Sequence, residues 1–174
     1  MGLRRRVLTV NYKSGQQARV KCAQLPGEGD AASRREYVIV FRALGVPYWT
    51  ETTPTSVTIS AGTSQASGSL TVNGSAETPL EFTFKNTSGS TVNTLEVSAG
   101  GRTMSFSGLG LSNNSTLTVD HDANGYQRIR VGSTSKLICR SGADELMLAP
   151  GTETVRVTAG GSGTFTGYSY GRFA

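Results

Sequence analysis

Asp120-His121-Asp122 is the one place in this 174-residue sequence where acid–base or metal-binding side chains stand together. A catalytic acid–base pair or a metal centre needs a further partner or ligand held in place beside it. Successive side chains on a strand point to opposite faces, so His121 should point away from both aspartates. Asp120 and Asp122 could share a face if the strand persists that far. Asn124-Gly125 follows at once, and aspartates beside such a dipeptide accept hydrogen bonds from nearby backbone N–H groups. A structural turn is the simplest account, with calcium second and catalysis last. Serines are abundant, but none sits in a nucleophile-elbow context, and the single histidine would have to serve them all. Gly100-Gly101 and Gly160-Gly161 read as hairpin glycines, since no helix follows them to aim its N-terminus at a phosphate. Cys22 and Cys139 lie far apart in expected strands and read as two reduced, half-buried thiols. With one histidine they cannot complete a four-ligand zinc site without carboxylate help. The sequence therefore leads us to expect no catalytic residue, no metal and no cofactor.

Two other groups of residues suggest binding. Tyr48, Trp49, Tyr168 and Tyr170 could form a stacking platform for sugar rings. The plainer reading has Tyr48 and Trp49 plugging a junction between two sections of chain, while Tyr168 and Tyr170 share a strand face. Charge forms the second group. Residues 1–45 carry nine basic side chains against three acidic ones, a net +6, whereas the remainder is about −1 within a total of +5. Such a basic section can face nucleic acid, an anionic membrane or an acidic protein surface. Aromatic residues are not interleaved with the basic ones, and no helix-turn-helix or zinc-finger spacing is present, so direct nucleic-acid binding is not expected. Arg4, Arg5, Arg6, Arg34 and Arg35 are the expected contacts to a neighbouring protein.

The elements that would carry these residues are strands. Hydrophobic content is 36% with 22 glycines, a make-up suited to many turns and shallow sheets. No stretch reaches the ~18 apolar residues of a membrane helix. Arg4–Arg6 is followed by a run too short and polar for a signal peptide, so no secretion signal is expected. Residues 1–49 read as strand, loop, strand, the strongest strand being 35–43 with both faces largely apolar. A Thr/Pro-rich stretch then marks an expected boundary near residue 50, separating a short basic β section, 1–49, from a sandwich, 50–174. In the second section strands are expected at 57–60, 68–72, 80–86, 94–98, 102–107, 116–120, 126–131, 136–139, 153–158 and 163–170. Asn73-Gly74, Ser88-Gly89, Gly100-Gly101, Asn113-Asn114, Asn124-Gly125 and Pro150-Gly151 punctuate them as turns. The 143–148 segment could form one helical turn at most. Many short strands at this spacing predict an all-β, antiparallel sandwich.

The order of motifs from residue 78 onward points to a family. Thr78-Pro79-Leu80-Glu81-Phe82-Thr83-Phe84-Lys85-Asn86 is followed by Leu117-Thr118-Val119-Asp120 and then Asn124-Gly125. Leu146-Met147-Leu148-Ala149-Pro150-Gly151 leads to Thr154-Val155-Arg156-Val157, and the chain closes on Tyr168-Ser169-Tyr170-Gly171-Arg172-Phe173. This succession resembles the C-terminal domain of siphophage distal tail proteins and related phage tail proteins. Phe41-Arg42-Ala43 followed by Pro47-Tyr48-Trp49 is similar to the exit from that family's N-terminal domain. The resemblance covers about 35–174 and is best over 79–173. It implies a galectin-like or jelly-roll-like sandwich acting as a non-catalytic, self-assembling part of a phage or prophage tail. The partners it implies are further copies, possibly in a hexameric ring, together with tail tube and tail tip proteins. Its setting would be the virion tail, after synthesis in the bacterial cytoplasm. Two features depart from the pattern. The family's N-terminal domain usually exceeds 49 residues, and Thr152 stands where the family often has Asn. The alternative reading is a carbohydrate-binding module for host-surface or other glycans.

Overall fold

The computed structural model describes residues 7–11, 16–24, 40–43, 49–122 and 125–174. Four strands come first: β1 (Val7–Asn11), β2 (Gln16–Gln24), β3 (Val40–Ala43) and β4 (Trp49–Glu51). Then follow β5 (Thr55–Ala61), β6 (Ala66–Val72), β7 (Thr78–Pro79), β8 (Glu81–Asn86), β9 (Leu95–Ala99) and β10 (Arg102–Phe106). After them come β11 (Thr116–His121), β12 (Gln127–Val131) and β13 (Thr134–Ser135), then a single 3-10 turn, Leu137–Cys139. The chain ends with β14 (Arg140–Gly142), β15 (Met147–Leu148), β16 (Gly151–Ala159), β17 (Gly163–Ser169) and β18 (Arg172–Phe173).

The expected antiparallel sandwich is the observed fold. One sheet has six strands in the order β13-β12-β11-β8-β17-β5, and the other five in the order β14-β10-β9-β16-β6. Alternation along each strand decides which side faces the core. Phe82 and Phe84 on β8, Leu117 and Val119 on β11, and Phe165 on β17 are buried from the six-stranded side. Leu95 and Val97 on β9, Met104 and Phe106 on β10, and Val155 and Val157 on β16 meet them from the other. Together these form one continuous apolar cluster. Phe82 bridges the layers, meeting Phe106 edge-on at 6.3 Å between ring centroids. Gly163 matters for packing: a Cβ there would overlap the Phe84 ring.

The turn signals place the reversals correctly. Gly74, Gly89, Gly100, Gly101, Asn114, Gly125 and Gly151 all have positive φ. Gly100-Gly101 joins the paired strands β9 and β10 as a hairpin. Gly160-Gly161 instead joins strands in different sheets, β16 and β17, so it is a crossing and not a hairpin. The expected strand at 136–139 is also corrected. The Lys136 N–H still donates to the Ile129 carbonyl at 2.8 Å, continuing the sheet edge. The chain must then pass from β13 in one sheet to β14 in the other. It does so by a tight turn closed by the Cys139 N–H on the Lys136 carbonyl at 3.0 Å.

A third sheet, β1-β2-β4-β18 with β3 also on β2, lies where the boundary near residue 50 was expected. β4 pairs with β2 through Gln16–Glu51 and Gln17–Thr50, and with β18 through Thr50–Arg172 and Trp49–Phe173. The Arg172 carbonyl also accepts the Ser75 and Ala76 N–H groups at 2.8 and 3.1 Å. Gly74, at φ 106°, lies so close to this strand that a Cβ would strike the Arg172 carbonyl oxygen.

Candidate functional site

The Asp120-His121-Asp122 triplet diverges into three environments. Asp120 points outward from the six-stranded sheet, because β11 buries Leu117 and Val119 on its other face. Directly across the ladder stands Arg128. Its Nε and Nη2 donate to the two Asp120 oxygens at 3.0 and 2.9 Å, a paired contact matched to guanidinium and carboxylate shapes. Arg130, two residues on and on the same face, donates to Asp120 Oδ2 at 2.8 Å. Burial works against the Asp120 charge, but the two arginines outweigh it and hold the carboxyl below its ordinary value.

Asp122 makes the expected turn. Its Oδ1 accepts the Tyr126 N–H at 3.0 Å, and its carbonyl accepts the Gly125 N–H at 3.0 Å.

His121 leaves the aspartates, as alternation requires, and finds two carboxylates elsewhere. Its Nδ1 lies 2.9 Å from Glu81 Oε1, at the start of β8, and its Nε2 lies 3.3 Å from Glu145 Oε1, on the segment between β14 and β15. Glu81 Oε1 also accepts the His121 backbone N–H at 3.1 Å. The hydrogen bond with Glu81 is the main cause raising the ring above its ordinary value; burial opposes it, and the charge of Glu81 and contact with Glu145 add to it. Two carboxylates on opposite ring nitrogens leave no shared apex for a cation. Among the described residues, no group of three His, Cys, Asp or Glu side chains could hold a metal ion.

The aromatic residues fall into two places. Trp49 lies on β4 across from Phe173, at the meeting of β2, β4 and β18. Tyr168 is half-buried on the outer face of β17, opposite Glu81 on one side and Ser56 on the other. Tyr170 is one residue beyond β17, with its carbonyl accepting Thr78 Oγ1–H at 2.8 Å. Burial, then the charge of Glu81 and Tyr168, push its phenol above the ordinary value. Tyr168, Tyr170 and Glu81 thus adjoin, while Trp49 belongs to the junction.

No protein-family model matches the chain, and no curated protein matches it.

Several expected residues lie outside what the structure describes: Arg4, Arg5, Arg6, Arg34, Arg35 and Tyr48. Cys22 lies on β2, with its side chain outside the described part. Cys139 sits in the 3-10 turn, a free, half-buried thiol with Sγ 3.5 Å from the Gly108 carbonyl. Two open depressions, of about 390 and 460 Å³, lie against the five-stranded sheet. Their titratable residues are Glu96 in one, and Arg102, Glu153 and Arg156 in the other, with neither histidine nor cysteine in either.

Sequence reasoning missed one surface. Tyr126, Leu137 and Ile138 are 73%, 49% and 95% exposed. Leu137 and Ile138 sit on the connection that runs back beside β12 and crosses between the sheets, and Tyr126 directly precedes β12. The signal lay in the pairing of two apolar residues with no polar residue between them, which alternation cannot bury on one face.

Proposed function

We propose that this protein is a non-catalytic structural component of a bacteriophage or prophage tail, of the distal tail or baseplate type. It acts by self-assembly and as an attachment hub. It is made in the bacterial cytoplasm and resides in the tail of the virion. The observation that carries the reading is the exposure of three large apolar side chains, Tyr126 just before β12 and Leu137 and Ile138 in the 3-10 turn after β13. Exposed apolar residues suit protein contact, and one head-to-tail contact repeated between identical copies forms a ring where its rotation closes. The motif order from Thr78 to Phe173 supports the tail setting. The galectin-like comparison, the ring and the tail tube and tip partners belong to this same reading. Sedimentation velocity of the full chain over a wide concentration range tests it. A discrete oligomer that dissociates on Ile138→Asp is expected; a strict monomer at every concentration sinks the self-assembling reading.

A carbohydrate-binding module is the second reading, favoured by Tyr168 beside Glu81, with Asp120, Arg128 and Arg130 on the same sheet face. A half-buried ring next to fixed carboxylates and guanidinium groups offers both stacking and hydrogen bonds to a sugar. Trp49 lies on β4 in the sheet with β2 and β18 and not on that face, so a glycan array comparing wild type with Tyr168→Ala is the suitable test. Saturable binding lost in the variant would favour this module.

A further inference from the structure

His121 is the only histidine of the chain, and carboxylates face both of its ring nitrogens. A carboxylate only accepts hydrogen bonds, and a neutral imidazole has one N–H and one lone pair. Both contacts are therefore hydrogen bonds only when the ring carries two protons. In the neutral ring one nitrogen lone pair must face a carboxylate oxygen. The contact with Glu81 is the anchored one, since the same oxygen also accepts the His121 backbone N–H. Glu145 is held less: its contact is longer, at 3.3 Å, and its side chain is 40% exposed.

We propose that His121 is a proton-controlled fastener, which clasps the segment between β14 and β15 to the start of β8 when doubly protonated and releases it when neutral. What it fastens is defined by backbone bonds. The Leu80 N–H donates to the Leu146 carbonyl at 2.8 Å, and β15 then pairs with β7. From β7, Thr78 reaches the Tyr170 carbonyl, two residues before the β18 strand that joins β4.

The surrounding charges leave this clasp to the two glutamates. On the Glu145 segment, Asp144 is occupied by Arg140, at 2.7 Å. Across the ladder on β12 stands Gln127, whose Oε1 accepts from Arg140 Nη1 at 3.0 Å. Beside His121 on its own strand, Asp120 is held by Arg128 and Arg130, and Asp122 by its turn. On β17 Tyr168 lies across from Glu81, and just past the strand Tyr170 has its phenol pushed above the ordinary value, first by burial and then by the charge of Glu81. A ring raised above its ordinary 6.5 contributes stability that is complete below 6.5 and is lost as pH rises through the higher, folded value. The clasp is thus closed on the acid side of that window and open above it.

A single histidine makes the test direct. NMR titration of the His121 ring should show a midpoint above 6.5. Amide hydrogen exchange, corrected for its intrinsic pH dependence, should show Leu80 losing protection across that window, by about tenfold for each pKa unit of elevation. The Leu111 amide, bonded to the Val92 carbonyl at 3.0 Å, should not change. In Glu145→Gln the side-chain amide can donate to a neutral Nε2, so the Leu80 drop should diminish, while the larger contribution of Glu81 to the ring's elevation remains. A His121 midpoint at or below 6.5, a flat Leu80 profile in the wild type, or an undiminished drop in Glu145→Gln would each overturn the proposal. Both the ring midpoint and the Glu145→Gln comparison can be read from a monomer, so they stand apart from the fate of the tail assignment.

Discussion

Asp120 shows how far a single side chain can be read from the sequence. That it faces away from His121 followed from alternation, but its partners did not, because Arg128 and Arg130 become neighbours only through the β11–β12 register. His121 was harder still: Glu81 and Glu145 lie 40 and 24 residues away, and one of them is on no strand. The Asp120 carboxylate has a lowered pKa, so it stabilises the fold above its ordinary value of 3.8 and loses that effect as pH falls through the lower, folded value. The arginines are 40–47% exposed, so solvent screens the pairs. Asp120→Asn should cost only about 1 kcal/mol at neutral pH and nothing at strongly acid pH, measured by urea unfolding at each pH. Gly163 is a stricter residue. Gly163→Ala places a methyl group into the Phe84 ring and should cost about 1–3 kcal/mol in the same assay, with no dependence on pH.

At the level of elements, strands with regular alternation were legible and the short ones were not. β8, β9, β11, β16 and β17 each bury every second residue for most of their length, and that pattern survives without a partner in view. β7, β13, β15 and β18 have two residues each; β13 pairs with the adjacent β12, and the other three exist because a distant strand pairs with them. Two residues cannot display a period. The 3-10 turn at Leu137–Cys139 reads as a strand in the sequence because it is an apolar run following a strand-like pattern; what overrides the pattern is the need to pass between sheets. Ile138 packs on almost nothing, so Ile138→Asp should change the free energy of unfolding by no more than about 0.5 kcal/mol. Any larger loss of self-association measured by light scattering then reports the surface and not the fold.

Across the whole molecule, the sandwich and the N-terminal strands meet at β4, and the chain's last strand returns to that spot. A Thr/Pro stretch and a change of charge near residue 50 are what the sequence shows of this region. Nothing in the sequence showed that Arg172–Phe173, over a hundred residues later, would lie beside it. Truncation after Gly171 removes the acceptor for the Ser75 and Ala76 N–H groups and should cost about 1–3 kcal/mol. Trp49, the sole tryptophan, should then shift its emission to the red, while the main core, to which β18 contributes no buried residue, stays folded.

That return of the chain end has a mechanical meaning. A pull delivered through the N-terminal strands reaches β4 first, where it meets two residue pairs with β18 and the Glu51 N–H on the Gly171 carbonyl. Only then does it reach β5, an outermost strand held along seven pairs by β17 alone within its sheet. Tension would therefore unzip a short outer ladder before it strained the aromatic centre, so the weakest link lies at the rim and can re-form when the load is removed.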